Sequence, residues 1–465
     1  MDILLISANR EKSPYPVFPL GLAFLAGPLA TAGHELRAID LCFTGDPETA
    51  VSEAFSTRVP DAVIISIRNI DNVTYPGSRS YLAGVRKIVD LCRGRTTVIL
   101  GGSGYSLMPR EVLEFLDGDF GVVGEGEETL PLLLECLSRN ELPRHLPGVL
   151  TKCEAGYLPP RPVELIGMPD RRLFPVERYN REGGMANLQT KRGCPFSCIY
   201  CTYPILEGNR VRLRDINAII LEIRDLVENF GTEYIYFVDD IFNYPMDFAE
   251  SLCRAITAAA LNVKWSAFIN PGFITPQLIR LMVEAGCDAM EFGTDSGSPA
   301  MLRNLGKSFG PGEIRSASAL CREASVDFAH YILFGGPGET AGTVMESFAL
   351  MDEVEPTAVI GMTGIRIFPG TCLYRKAVED GIITAETPLL DPVFYISPDM
   401  EGTLCNLVTS EAMKRRNWVV PGLEINMSDA MLAALRSFPV KGPLWKLMKR
   451  LGRTRQRPMS TGDGK

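Results

Sequence analysis

Short apolar runs alternate with helix-length amphipathic segments through the first 140 residues. The runs are rich in β-branched residues and end in glycine or polar residues, which favours strands. In order, they are MDILLISA, PDAVIISI, TTVILGGSG and DFGVVGEGE. Segments with helical periodicity, such as YLAGVRKIVDLCR, lie between them. This alternation predicts βαβ units and an α/β fold with a doubly wound, Rossmann-like sheet over residues 1–140.

A second series of strand and helix patterns follows residue 185. Its strand-like runs include TEYIYFVDDIFN, NVKWSAFINP, CDAMEFGTDSG, VDFAHYILFGGPGE and AVIGMTGIRIFPGT. The pattern over residues 186–385 predicts a partial (βα)6 barrel, because this segment is shorter than the about 250 residues of a closed eight-unit barrel. The Pro- and Gly-rich residues 141–185 predict a linker. Residues 386–465 predict a small C-terminal α-rich cap with a basic tail.

Three loops of the first series follow strands and combine glycine with polar residues. Ligands of open α/β sheets bind at the carboxyl ends of the strands, so these loops predict a ligand edge. The alternative is that the glycines only make tight turns. The candidate residues are Ser66, Asn69, Gly101, Gly102, Ser103, Gly124, Glu125 and Gly126.

Composition narrows the protein class. The 465 residues exceed one ordinary core, and 46% are apolar and 22% charged, which is typical of a globular protein of two or three domains. The net charge of -9 disfavours a nucleic-acid partner. We see neither a signal-peptide pattern at the N-terminus nor an apolar run of about 20 residues. Because the 12 cysteines are mostly scattered singly, we expect a reducing, cytoplasmic location.

Three cysteines, Cys194, Cys198 and Cys201, lie within eight residues in the stretch CPFSCIYC. A structural zinc site normally takes four protein ligands, and no histidine of the chain lies nearby. Thiolates also hold iron–sulfur clusters, and a four-iron cluster held by three cysteines leaves one iron open. The alternative is three buried cysteines that act as small apolar residues. The close spacing favours the cluster.

Polar residues also end the predicted strands of the second series, where (βα) barrels place their active sites. They are Asp239, Asp240, Asn270, Asp295, Ser296, Gly335 and Gly336, with Glu339 in the same loop as the glycines. The alternative role for the aspartates and Ser296 is to cap the helix that follows, which is also the role we expect for Glu339.

CPFSCIYC resembles the CxxxCxxC signature of the radical S-adenosylmethionine (SAM) superfamily. FVDDIFN, FGTDSGS, LFGGPGET and IRIFPGTCLY are similar to its later motifs. PLGLAFLAGPLATAGHE, SIRNID, GGSGYSLMP and VGEGEE resemble the cobalamin-binding domain of its largest subgroup. The resemblance covers residues 1 to about 385. It points to relatives of the anaerobic Mg-protoporphyrin ester cyclase and of cobalamin-dependent radical SAM methyltransferases.

The resemblance implies three cofactors: a 4Fe–4S cluster on the three cysteines, SAM and cobalamin. Reductive cleavage of SAM would yield a 5′-deoxyadenosyl radical, with flavodoxin or ferredoxin as electron donor. SAM would contact Tyr200, Asp239, Asp240, Asn270, Asp295, Ser296, Gly335 and Gly336. Arg366 would meet the SAM carboxylate or form a surface ion pair. Cobalamin would lie on the ligand edge of the first sheet, without a DxHxxG loop to supply a histidine below cobalt.

The resemblance leaves the outcome of the reaction open. The leading hypothesis is C-methylation of an unactivated carbon in a small molecule, for example a natural product. Alternatives are cyclisation, ring rearrangement or sulfur insertion with the same cofactors, a lipid-modifying enzyme, and a non-catalytic corrinoid or iron–sulfur sensor. A C-terminal apolar stripe, flanked by Lys446, Lys449 and Arg450, suits either contact with an anionic membrane or packing on the protein, and we favour packing. The stripe comprises Leu444, Trp445, Leu447, Met448 and Leu451.

Overall fold

Two mainly parallel sheets organise the chain in a computed structural model that describes residues 1–143, 145–152, 156–426, 435 and 441–448. The strands are β1 (Asp2–Ser7), β2 (Glu35–Asp40), β3 (Ala62–Ser66), β4 (Thr97–Gly101), β5 (Phe120–Val122), β6 (Val149–Thr151), β7 (Ala186–Leu188), β8 (Lys191–Arg192), β9 (Arg212–Leu213), β10 (Tyr234–Phe237), β11 (Lys264–Ile269), β12 (Cys287–Asp295), β13 (Asp327–Phe334), β14 (Ala358–Thr363), β15 (Ile365–Arg366), β16 (Phe394–Tyr395) and β17 (Trp418–Val419). The α-helices are α1 (Leu20–Thr31), α2 (Pro47–Thr57), α3 (Leu82–Cys92), α4 (Ser103–Leu107), α5 (Pro109–Leu116), α6 (Thr129–Ser138), α7 (Val176–Gly183), α8 (Tyr203–Leu206), α9 (Ile216–Phe230), α10 (Met246–Ala259), α11 (Pro276–Glu284), α12 (Pro299–Asn304), α13 (Pro311–Glu323), α14 (Ala341–Val354), α15 (Cys372–Glu379) and α16 (Leu404–Ala412).

The first sheet has the strand order β2-β1-β3-β4-β5-β6. The strands pair in parallel, except that β6 runs antiparallel to β5. All six residues of β1 are buried, as expected for a central strand covered by helices on both faces. The predicted Rossmann-like α/β fold is therefore confirmed, and the segment predicted as a linker supplies the edge strand β6.

The second sheet has the order β17-β14-β13-β12-β11-β10-β7 and pairs in parallel throughout. Helices α9, α10, α11, α13 and α14 connect its successive strands. Local sequence sets where these helices begin: the side chains of Asp215, Thr275 and Thr340 accept hydrogen bonds from the first turns of α9, α11 and α14. Each crossover brings the next strand end to the same edge, which gathers the predicted site residues there.

The strand-end loops of the two sheets contact each other. A single β-bridge joins Tyr75 of the β3–α3 connection to Thr363 at the end of β14, and the Thr363 hydroxyl donates a hydrogen bond to the Tyr75 carbonyl at 2.5 Å. Near the other end of the junction, the Tyr179 hydroxyl donates to the Asp40 carboxylate at 2.7 Å. The strand-end edges on which the sequence predicts ligand sites therefore face one another.

The apolar stripe near the C-terminus packs on the protein where it is described. Leu444–Leu447 forms a 3-10 turn, in which Trp445 and Leu447 are buried. Lys446 forms an ion pair with Asp288 at 2.7 Å. Lys449, Arg450 and Leu451, on which the membrane alternative also depends, lie outside the described residues. Among the described helices, we find none of sufficient length and apolarity to span a bilayer.

Candidate functional site

The three cysteines lie in the loop between strand β8 and the short helix α8, residues 193–202, which we call the cysteine loop. Two glycines fix its path. Gly193 has φ +89°, and a Cβ there would collide with the Arg210 carbonyl. A Cβ at Gly306, after α12, would lie 2.5 Å from the Ser197 carbonyl oxygen. The Ile199 backbone also bridges two helices: its N–H donates to Leu305 at 3.1 Å, and its carbonyl accepts from Leu373 at 2.8 Å.

All three thiols of this loop are free. Burial raises the pKa of Cys194 to about 11 and that of Cys201 to about 12, so iron must displace protons from both. Within the described part of the chain, no three His, Cys, Asp or Glu side chains converge closely enough to hold a single metal ion.

The two neighbouring aspartates after β10 have different partners. Asp239 is buried and fully engaged: its carboxylate accepts from the Thr190 N–H at 2.6 Å and from the Thr190 hydroxyl at 2.5 Å, and pairs with the Lys191 ammonium at 3.1 Å. Asp240 instead has a buried carboxylate oxygen, Oδ2, without a hydrogen-bond partner. Burial, together with the charges of Glu207 and Asp239, raises the pKa of Asp240 well above its usual range.

A small cavity joins Asp240 to the cysteine loop. Its lining residues are Lys191, Gly193, Cys194, Pro195, Phe196, Val211, Asp240, Ile241 and Tyr244. The Asp239 carboxylate is already occupied by Thr190 and Lys191. Asp240 is therefore the carboxylate of the pair that remains available to a cationic ligand group.

Asp295 links β12 to the cysteine loop. Its carboxylate accepts a short hydrogen bond from the Tyr200 hydroxyl and pairs with the Lys307 ammonium at 2.7 Å. Asp295 has φ +65°, a conformation that asparagine and aspartate tolerate better than other side chains. Two of the predicted SAM residues, Tyr200 and Asp295, thus contact each other. Lys307 was not among the predicted residues, because no local pattern distinguishes it from a surface lysine.

The remaining predicted SAM residues have partners within the protein. Ser296 shares a hydrogen bond with the Ser347 hydroxyl at 3.0 Å. Asn270 accepts from the Gly272 N–H at 2.8 Å and donates to Ser308 at 3.2 Å. These contacts hold the strand ends and leave ligand contact at both positions a proposal.

Gly335 and Gly336 make close contacts with side chains of the protein. A Cβ at Gly335, which has φ +101°, would lie 3.0 Å from Leu404, and one at Gly336 would lie 3.0 Å from Met301. The Glu339 carboxylate accepts from the Gly335 N–H at 2.6 Å and so braces the preceding loop. The cap of helix α14, which we expected from Glu339, is made by Thr340. Burial raises the pKa of Glu339 to about 7.

The ends of β3 and β4 form the middle of the first sheet's ligand edge. Ser66 pairs in register with Gly101. Gly102 has φ +100°, and a Cβ there would lie 2.6 Å from the Ile67 carbonyl oxygen. The Ser103 hydroxyl donates to the Arg68 carbonyl at 2.9 Å, which brings the half-buried Asn69 next to α4. Gly102 and Ser103 therefore bring two loops of the protein into close contact, and the ligand contact predicted for them stays a prediction.

Glu125, for which cobalamin contact stays a prediction, is surrounded by partners from the protein itself. Its carboxylate is bound by Arg212 of the second domain at 2.5 Å and by the Val163 N–H at 2.6 Å. Arg192 lies 3.5 Å from Glu125 and 2.6 Å from Glu127. A buried carboxylate needs such partners, so Glu125 is an ion-pair residue of the domain junction. Its neighbours Gly124 and Gly126 pack on Pro160 and Leu25.

Arg366 is neither a surface ion-pair residue nor available to a carboxylate ligand. It is buried, pairs with Asp71 of the first domain at 3.0 Å and donates to the Leu389 carbonyl at 2.6 Å. The sequence motif around Arg366 identifies a charged residue but neither its burial nor its partner. Burial and the distant partner arise from the packing of the two domains.

Comparisons with known proteins agree with this arrangement. The family model of the radical SAM superfamily matches residues 188–351, and that of the B12 binding domain matches residues 6–134. An uncharacterized methyltransferase of Pyrococcus horikoshii is 27% identical over 85% of this chain and 88% of its own. The tryptophan 2-C-methyltransferase of Streptomyces laurentii is 25% identical over 82% of this chain and 76% of its own.

Solved structures share the fold. The radical SAM methyltransferase TsrM from Kitasatospora setae, with tryptophan and a SAM analogue bound, superposes with a TM-score of 0.86 at 22% identity, over 97% of this chain and 98% of its own. The cobalamin-dependent SAM radical enzyme OxsB, with aqua-cobalamin and SAM bound, gives a TM-score of 0.72 at 15% identity, over 89% of this chain and 66% of its own.

Proposed function

We propose that this chain, which belongs to the cobalamin-dependent radical SAM enzymes, methylates an unactivated carbon of a small molecule. The observation that carries the proposal is the position of Asp240. One of its buried carboxylate oxygens is unpartnered, and it shares a cavity with Cys194. A site for iron and a site for the positively charged amino group of SAM are thus adjacent.

Three thiolates are the protein's contribution to the first cofactor. Cys194, Cys198 and Cys201 would hold a 4Fe–4S cluster, which supplies one-electron reduction of SAM when it is bound. Asp240 would accept hydrogen bonds from the SAM ammonium. The Tyr200–Asp295–Lys307 contacts would fix the orientation of the loop between Cys198 and Cys201.

The ligand edge of the first sheet would hold cobalamin, which supplies a transferable methyl group. Ser66, Asn69, Gly101, Gly102 and Ser103 form its centre. The ion pairs of Glu125 and Glu127 with Arg192 and Arg212 tie this edge to β8 and β9, next to the cysteine loop. The chain would thereby keep the two cofactor sites at a fixed separation and exclude water between them.

The test is anaerobic turnover of the protein reconstituted with iron, sulfide and hydroxocobalamin. A low-potential reductant, or a flavodoxin or ferredoxin as the proposed electron donor, is supplied with SAM that carries a deuterated methyl group. L-Tryptophan, which two of the similar proteins act on or bind, is the first substrate, and a fractionated metabolite extract is the second. S-adenosylhomocysteine, 5′-deoxyadenosine and labelled product are quantified together.

Each outcome decides between functions. Labelled product with both SAM-derived products supports radical methylation. Labelled product with S-adenosylhomocysteine alone supports methylation without a deoxyadenosyl radical. Deoxyadenosine without a labelled product would contradict methylation and favour cyclisation, ring rearrangement or sulfur insertion. One of the similar proteins is an ester cyclase. If neither SAM-derived product forms although the cluster is intact, the sensor function is favoured. A Cys201→Ala variant is the control for SAM consumption by the cluster site.

A further inference from the structure

A cavity of about 480 Å³ lies at the edge of the second sheet where three of its parallel strands begin. Three of its lining residues, Val326, Thr357 and Asn417, directly precede β13, β14 and β17. We call it the far-edge cavity. Its volume is within the range of about 300–1,000 Å³ that is typical of small-molecule sites.

The far-edge cavity is separate from the candidate cofactor site. Parallel strands all begin at one edge of a sheet and end at the other. Strand β13 runs from Asp327, next to the cavity, to Phe334, next to Gly335, and its eight residues span about 23 Å. Asp240 and Asp295 also lie at carboxyl ends of strands. A molecule bound in the far-edge cavity would therefore not touch the residues proposed to hold the cofactors.

The floor of the far-edge cavity is apolar, whereas its rim is polar. The side chains of Val326, Phe328 and Met448 form the floor and are 6%, 3% and 7% exposed. The exposed residues of the rim are Arg322, Ser325, Glu355 and Arg416. An apolar floor below a few polar groups favours a ligand that has an apolar body and a charged or polar group.

The two arginines of the rim have unused hydrogen-bond donors. Nη1 of Arg322 donates to the Val354 carbonyl at 2.5 Å and so offsets the negative end of α14. The other nitrogen atoms of Arg322, and the whole guanidinium of Arg416, have no partner among the described residues. The neighbouring Arg415, in contrast, pairs with Asp352 at 2.6 Å. A guanidinium presents its donors as a planar fork that matches a carboxylate or a phosphate.

The remaining polar groups of the far-edge cavity set its charge. The Thr357 hydroxyl donates to the Asp327 carboxylate at 3.0 Å, and the Asn417 amide donates to the Pro356 carbonyl at 3.1 Å. Glu355 forms no ion pair within the described part of the chain. Two guanidinium groups and one carboxylate give the rim a net charge of +1, in a chain whose net charge is -9. A ligand with one negative charge balances this rim.

We propose that the far-edge cavity is a second binding site, which takes a small organic monocarboxylate. The carboxylate of the ligand binds Arg322 and Arg416, and its apolar body lies on Val326, Phe328 and Met448. Two exposed arginines alone would be an ordinary solvated surface, and the apolar cavity beneath them is what distinguishes a site. This proposal does not depend on the proposed function, because neither a cofactor nor a methylated substrate takes part in it.

The test measures dissociation constants by ligand-observed NMR on the full chain with cluster and cobalamin, without reductant. The probe 3-phenylpropionate is compared with 3-phenylpropanol, which lacks the charge, and with phenyl phosphate, which carries more charge. We expect 3-phenylpropionate to bind at least about tenfold more tightly than the alcohol, which is the typical effect of a hydrogen bond to a charged group. The ratio of the two dissociation constants should fall at high salt. Tighter binding of phenyl phosphate than of 3-phenylpropionate would overturn the choice of a carboxylate.

Variants of the rim assign this preference to the far-edge cavity. Arg416→Ala should lower the ratio by about fivefold, and Arg416→Lys, which keeps the charge without the fork, should retain part of it. Glu355→Gln should strengthen the binding of 3-phenylpropionate, because it removes an opposing charge. Arg280→Ala replaces an exposed arginine of α11 outside the cavity and should leave the ratio unchanged. Iron and cobalamin contents report whether each variant is folded.

Three results would overturn the proposal: equal affinities for the acid and the alcohol, no detectable binding of 3-phenylpropionate, or a ratio that is unchanged in Arg416→Ala. All three are separable from failure of the proposed function, since no turnover is measured. Methylation by a protein that does not prefer the acid rejects the second site alone. A preference that depends on Arg416, in a protein that forms no methylated product, rejects the proposed function alone.

Discussion

The Asp71 carboxylate and the Arg366 guanidinium meet at 3.0 Å across the junction of the two domains, and both side chains are almost fully buried. Asp71 also accepts from the Val73 N–H at 2.8 Å, and Arg366 donates to the Leu389 carbonyl. Burial lowers the pKa of Arg366, while the charge of Asp71 opposes that shift. The pair therefore holds the loop after β3 against β15 of the second domain.

Arg366→Met should destabilise the protein strongly. It leaves the Asp71 carboxylate buried and unpaired, which typically costs about 3–5 kcal/mol of the free energy of unfolding. Arg315→Met is the matched control, because Arg315 forms an exposed pair with Glu353 that water and salt screen, so its loss should hardly change stability. Urea denaturation of both variants gives the comparison. Equal losses would contradict a special role for the buried pair.

Replacement of any one of Cys194, Cys198 and Cys201 by alanine should abolish the cluster. Each removes a ligand that no nearby histidine replaces, so iron content should fall from about four per chain toward zero. Cys372→Ala should retain full iron content, since Cys372 is an exposed free thiol at the start of α15. Iron and sulfide assays after anaerobic reconstitution measure this. A cluster retained in the Cys198→Ala variant would refute the assignment of the ligands.

Asp240→Asn and Asp239→Asn should have different effects although the residues are adjacent. Asp240→Asn should weaken SAM binding by about tenfold or more, as a charge-assisted hydrogen bond is lost, and leave stability unchanged or higher. Asp239→Asn should mainly lower stability, because it leaves the buried Lys191 ammonium without its carboxylate. Equilibrium dialysis with SAM and thermal unfolding separate the two effects. Similar SAM affinities for Asp240→Asn and the unmodified protein would exclude Asp240 as the ammonium partner.

Gly102→Ala should disturb the cobalamin edge. The new Cβ would lie 2.6 Å from the Ile67 carbonyl oxygen in a backbone conformation with φ +100°, which costs about 1–3 kcal/mol before any relaxation. Gly84→Ala is the control: its Cβ would meet nothing within 4 Å in helix α3, so it should stabilise by up to about 1 kcal/mol. The measurements are unfolding free energy and bound cobalamin per chain. Normal cobalamin retention in Gly102→Ala would argue against this loop as the binding edge.

Glu339→Gln should change how stability depends on pH. The folded protein raises the pKa of Glu339 from 4.5 to about 7, so the folded state holds the proton more tightly. Its contribution is therefore present below pH 4.5 and is lost as the pH rises to about 7, a change of about 3 kcal/mol. Relative to Glu339→Gln, the unmodified protein should lose stability between pH 5 and pH 7.5. Parallel stability curves for the two proteins would show that the pKa is not raised.

The sequence by itself determined the α/β fold and the chemistry of the cysteine loop, because both are local. Strand and helix periods are set by neighbouring residues, and three thiols within eight residues necessarily belong to one short segment. The Rossmann-like sheet of the first domain followed from the same local rules.

The tertiary structure decided which charged groups are available to a ligand. Asp239 and Asp240 are indistinguishable in sequence, and only the position of Thr190 and Lys191 shows that the first is occupied. Glu125 and Arg366 find partners 87 and 295 residues away, and no local pattern encodes such pairs. Glu291 accepts hydrogen bonds from Tyr236, Tyr331 and Trp445, which belong to other elements and are distant from it in sequence. The reason is physical: burial makes an unpaired charge costly, so packing between distant segments determines which polar groups are satisfied and which stay open.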